Sequence, residues 1–184
     1  MTPQLQQFYF NWLAKADNYN ENTLANHFDK FSSLYVIFNA LYMNVMEELT
    51  ILGNHIPKDF KDKKAATDYV IQYLKSQYYI DMLLNSQENI DDLNSICNII
   101  SDEKFHIILN WGNHQRNLDL ELLRKLTSNS NNEKGKAILS LFYHIRCNLF
   151  HGHKGFEEPQ KELLIPVNRL LRKTIEITFQ KLDA

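Results

Sequence analysis

From residue 22 to residue 51 the chain runs without a glycine or a proline. Along it Phe28, Phe31, Leu34, Tyr35, Phe38, Leu41, Tyr42 and Val45 recur at helical spacing. That period describes an α-helix with one wide apolar stripe, and so large an aromatic stripe belongs to a core rather than to a ligand pocket. The helix is expected to be capped near Asn20 or Asn22 and to stop at Gly53. The whole chain has only 5 Gly and 4 Pro among 184 residues, too few for the many tight turns of a sandwich or barrel.

Helical periodicity continues on both sides. It predicts helices over about 4–16, 63–84, from just after Ser86, near Asp102–Asn110, over Leu118–Leu126, and over about 133–151 and 160–182. Gly112-Asn113 reads as a break, the polar run Ser128–Asn132 as a loop, and Gly152 as the left-handed residue that closes a helix. Pro166 implies either a start near Ile165 or a kink. No strand is expected. The expected fold is an all-α, single-domain helical bundle over 1–184, with long antiparallel helices and shorter accessory ones.

Composition removes several classes. Hydrophobic residues make up 44% and charged residues 23%, which excludes a wholly disordered chain. No apolar run approaches the roughly 20 residues that span a bilayer. The start, Met1–Lys15, has neither the basic opening nor the apolar stretch of a signal peptide. Cys97 and Cys147 cannot build a disulfide framework, and no CxxC pair suggests structural zinc. These features predict a soluble, cytoplasmic protein with no membrane partner. The net charge of -2 is uninformative, but it is unevenly spread: residues 134–184 sum to +4 and the rest to -6.

Within the basic segment lies His144-Ile-Arg146-Cys147-Asn148-Leu-Phe-His151-Gly152-His153-Lys154. On a helical wheel, Ile138, Leu139, Leu141, Phe142, Ile145 and Leu149 form a core face, with His144, Asn148 and His151 opposite. Arg146 falls inside the apolar arc. An unpaired guanidinium cannot be buried there, since desolvation costs several kcal/mol. It is expected to snorkel to an edge, to pair with a carboxylate such as Asp29 or Glu47, or to meet a partner surface or anion.

Arg146-Cys147-Asn148-Leu149-Phe150-His151-Gly152, followed by a short polar loop and a last helix with Leu163, Leu164, Leu170 and Leu171, resembles the Arg-x4-6-His signature of the HEPN superfamily. Phe31-x6-Phe38-Asn39-Ala40-Leu41-Tyr42 is similar to the corresponding helix of the Apea-like HEPN group. The resemblance covers about 22–182, with the motif at 146–151. It implies a helical bundle and a metal-independent endoribonuclease of the toxin or phage-defence kind. It implies a homodimer in which two motifs meet at a cleft, with no cofactor, and an antitoxin or regulatory protein as a further partner. Carried over by position, His151 is the catalytic histidine and Arg146 the phosphate-facing arginine. Asn148 is a supporting residue, and His144, His153 and Lys154 are RNA-phosphate contacts. The family commonly has a polar residue after the arginine, where Cys147 stands here, and in some members a modified tyrosine where His153 stands.

The chemistry suits these residue types. Cutting RNA without a metal needs a group that moves a proton near neutrality, and histidine does so. It also needs a permanent forked cation for the extra charge of a phosphorane-like transition state, which arginine supplies. The expected products are a 2′,3′-cyclic phosphate and a 5′-hydroxyl. A metal reading of His144, His151 and His153 lacks a nearby carboxylate and is set aside. The alternative function is a non-catalytic HEPN module that binds RNA, a nucleotide or a protein. A plain helical adaptor, with Arg146 as an ion-pair residue, comes third.

Overall fold

The computed structural model describes residues 1–57, 59–110, 112–150 and 159–184, and its architecture is all-α. Thr2 caps α1 (Pro3–Asn18), its hydroxyl accepting from the Leu5 N–H while Pro3 fills the first turn. Helix α2 (Leu24–Ile51) is capped by Thr23 rather than by Asn20 or Asn22, since the Thr23 hydroxyl reaches the Asn26 N–H at 3.3 Å. It ends where expected. Gly53 takes a φ of +83°, and the Asn54 N–H returns to the Leu49 carbonyl.

Residues 63–84 do not form the single helix that their periodicity suggests. They divide into α3 (Asp62–Lys64), a π turn (Ala65–Tyr69), α4 (Val70–Leu74) and α5 (Ser76–Leu83). The break is Lys75, at a φ of +68°. Helix α6 (Gln87–Ser101) is capped by Ser86. The helix expected near Asp102–Asn110 is absent. Glu103 turns left-handed at a φ of +57°, and the Lys104 N–H closes on the Ile99 carbonyl in the pattern that usually employs glycine. The chain then extends, and β1 (Leu109–Asn110) pairs antiparallel with β2 (Asn113–His114) around Gly112, whose φ is +80°. This two-residue pairing departs from the expectation of no strand.

Helices α7 (Arg116–Leu126), α8 (Asn131–Phe150) and α9 (Pro159–Asp183) follow. Ser130 opens α8, two residues earlier than expected, its hydroxyl accepting from the Glu133 N–H. Helix α9 runs through Pro166, so the late-start alternative does not hold.

Helix α2 is central. α9 and α1 pack along it, α6 packs on α9, and α5, α7 and the π turn surround α8. Of the α2 stripe, Phe31, Leu34, Phe38, Leu41, Tyr42 and Val45 are fully buried, Tyr35 is nearly so, and Phe28 is half-buried. The Tyr9 and Phe179 rings stack at 3.7 Å across the α1–α9 seam. Gly135 sets how closely α8 approaches its neighbours, since an added Cβ would lie 2.8 Å from the Ile71 Cδ1 atom. No helix among the described residues is long and apolar enough to cross a membrane.

Candidate functional site

The core face of α8 forms as the wheel predicts. Ile138, Leu139, Leu141, Phe142 and Ile145 are buried, and Leu149 is half-buried. Arg146 lies at the edge of this face, half-buried, with its guanidinium carbon 5.9 Å from the centre of the Tyr35 ring. Burial opposes its charge, but Cys147, the Tyr35 hydroxyl and Asp62 outweigh that effect and hold its pKa above the usual arginine value. Among the described residues the acidic influence comes from Asp62 of α3 rather than from the Asp29 or Glu47 of α2 considered from sequence.

Tyrosines line this edge. The Tyr42 hydroxyl donates to Asp62 Oδ1 at 2.6 Å and also contacts the Asn39 side chain. Burial, then the bond to Asp62, raises its pKa well above the ordinary tyrosine value. The Tyr35 hydroxyl is buried and has no hydrogen-bond partner among the described residues. Burial pushes Tyr143 up to about 12, with Cys147 adding to the shift. The two sequence segments behind the HEPN resemblance therefore meet at Tyr35 and Arg146. The α2 part contributes aromatic and hydroxyl groups, and the α8 part a permanent cation.

Across α8 from the core, α3 covers the flank that holds His144. The Lys63 ammonium donates to the His144 Nε2 atom at 2.9 Å, so that imidazole is neutral with its lone pair toward the lysine. Burial, reinforced by Lys63, pushes His144 down to about 4. Burial, with Lys125 nearby, lowers Lys63 below the usual lysine range. Asn148 departs from its expected outward position. It is 5% exposed, and its Nδ2 donates to the Ile107 carbonyl at 2.7 Å, because residues 105–108 lie over that side of α8. The same contact anchors the 105–114 segment to the motif helix. His151, Gly152, His153 and Lys154 lie outside the described residues.

Among the described residues no three His, Cys, Asp or Glu side chains come together in a way that could hold a metal. The three-histidine chelate considered from sequence involves His151 and His153, and so falls outside them. The structure also joins residues the sequence left unconnected. His106 Nδ1 lies 3.5 Å from Oδ2 of the fully buried Asp119, whose Oδ1 accepts from the Ile108 N–H. The His114 ring meets His106 edge-on at 3.8 Å. Lys63, Lys125 and Lys136, from three separate elements, line a cavity of about 290 Å³ with His144. Helical spacing within any one segment reveals none of these groupings.

Compared with known proteins, the chain matches no protein-family model, no curated protein and no solved structure at a significant level.

Proposed function

We propose that the protein is a metal-independent endoribonuclease that acts as a homodimer, with Arg146 as the phosphate-facing cation and His151 as the proton-transfer group. The observation that carries this reading is the state of Arg146. It is held at the edge of the bundle as a permanent guanidinium beside Tyr35 and Asp62, five positions before His151 in sequence. A cation so placed suits the developing charge on a phosphodiester. In the reaction the ribose 2′-hydroxyl loses its proton and attacks the adjacent phosphorus. The P–O5′ bond breaks, and the departing 5′-oxygen takes up a proton, leaving a 2′,3′-cyclic phosphate and a 5′-hydroxyl. Histidine serves either proton transfer near neutral pH.

The test is RNA cleavage in EDTA by wild type, Arg146→Ala and His151→Ala, each matched for oligomeric state. Cleavage by wild type, with at least a hundredfold loss in both variants, is expected of a group acting in the transition state. Cleavage that survives both substitutions would overturn the assignment of these residues. No cleavage of a broad RNA panel would overturn the enzymatic reading.

A further inference from the structure

We propose that the cavity between α3, the π turn, α7 and α8 is a binding site for a phosphate group carried on a nucleotide. Three lysines line it, Lys63 from α3, Lys125 from α7 and Lys136 from α8, together with His144. Two carboxylates offset them in part: Glu121 meets Lys125 at 2.6 Å, and Asp68 of the π turn meets Lys136 at 2.5 Å. The third cation is different. The Lys63 ammonium rests against an imidazole nitrogen that carries no charge, so the excess positive charge of the cavity is concentrated at Lys63.

Both carboxylate pairs are solvent-exposed, with side-chain exposures of 38–51%. Exposed pairs of this kind are weak, so Lys125 and Lys136 can turn to a better anion. A phosphate satisfies all three lysines and gives His144 a reason to take up its second proton, since an adjacent anion favours the imidazolium. The Ser140 hydroxyl, also in the lining, adds a donor. Ile108, Leu118 and Leu122 add apolar surface to the lining. It suits a ribose or base rather than a second charge. A volume of about 290 Å³ exceeds the needs of a bare phosphate and lies at the lower end of small-molecule sites.

The same chemistry is offered by a free mononucleotide and by one nucleotide of an RNA strand. The site does not depend on cleavage, because none of its residues is Arg146 or His151.

The experiment follows the His144 ring signals by NMR in the full chain, at constant ionic strength, as inorganic phosphate and then adenosine 5′-monophosphate are added. Inorganic phosphate should raise the His144 pKa by at least one unit. Lys63→Gln, and separately Lys125→Gln, should weaken mononucleotide binding at least fivefold, and Lys15→Gln, an exposed lysine of α1 outside the cavity lining, should leave it unchanged. A 2′-deoxy-substituted oligonucleotide, which has no attacking hydroxyl, distinguishes the sources. Tighter binding of the oligonucleotide than of the mononucleotide assigns the site to a strand, and the reverse assigns it to a free nucleotide. A His144 signal that ignores phosphate, or binding as tight as wild type by both lysine variants, overturns the proposal. Loss of cleavage with the phosphate response intact would count against the ribonuclease reading alone.

Discussion

Along α8, Ile138, Leu139, Leu141, Phe142 and Ile145 turn into the core, while Lys136, Ser140 and His144 turn toward α3, the π turn and α7. Both sides are covered by other elements, but the cover differs in kind. The core side is apolar on apolar, where each removed methylene leaves a cavity that the bundle cannot refill. The other side sets ammonium groups against a neutral imidazole and against exposed carboxylates. Helix α9 shows what a purely structural use of cations looks like in this fold. There Arg169 Nε donates to the buried Asp92 at 2.7 Å, and Arg172 meets Asp17 and Glu176. The arginines of α9 answer carboxylates directly, whereas Lys63 answers a histidine. Neighbouring surfaces of one bundle thus separate cations that hold helices together from cations that remain to attract a ligand.

The largest expected effect contrasts the two sides of α8 directly. Phe142→Ala should destabilise the fold by about 3–5 kcal/mol, the usual cost of truncating a fully buried aromatic. Urea denaturation would measure it. A loss below about 1 kcal/mol would mean that the core side of α8 repacks easily, and the contrast between its faces would fail.

The next effect lies on the polar side and depends on pH. His144 has a folded-state pKa of about 4, below the ordinary value of 6.5, so the unfolded chain binds more protons between these limits. Stability linked to His144 is therefore fully present above about pH 6.5 and is lost as pH falls toward 4. The loss amounts to roughly 2–3 kcal/mol. Lys63, Asp68, Glu121, Lys125 and Lys136 face the same cavity. Of these, Glu121 is held below the usual glutamate range by its bond to Lys125. His144→Gln should flatten the urea midpoint between pH 6.5 and 5. An unchanged slope in that variant would place the acid sensitivity elsewhere and remove the argument that burial, reinforced by Lys63, holds His144 neutral.

Much of this contrast is legible in the sequence, and the reasons for the remainder are physical. The α2 stripe and the core face of α8 follow from the 3.6-residue period, because an apolar face that must be buried fixes where a helix points. Gly53 marks its helix end because a glycine takes a positive φ at no steric cost. Lys75 and Glu103 take positive φ without glycine, so the breaks they make leave no local trace, and residues 63–84 and 102–110 read as continuous helices. That Arg146, placed inside the apolar arc, needs an edge, a carboxylate or a bound partner was readable. Its Tyr35 and Asp62 neighbours were not, since they come from α2 and α3. Asn148 looked exposed because a helical wheel does not show that residues 105–108 lie across it. Lys63 and His144 are 81 positions apart, so the lysine cavity is a product of packing alone.

The smallest expected effect probes the balance inside that cavity. Glu121 is exposed and bonded to Lys125, and this bond, followed by the charge of Lys125, holds its carboxyl below the usual glutamate range. If the cavity binds phosphate, Glu121 competes for the lysine that the ligand needs. Glu121→Gln keeps the shape of the side chain and removes the competing charge, so it should leave stability unchanged and tighten mononucleotide binding by about threefold, as expected for release from a weak exposed pair. Isothermal titration at low salt would detect the change, and added salt should erase it, since screening weakens exposed pairs first. Weaker binding in the variant would show that Glu121 helps to hold the ligand, as a carboxylate does toward a sugar hydroxyl. The charge contrast between α8 and α9 would then need redrawing around Lys63 and His144 alone.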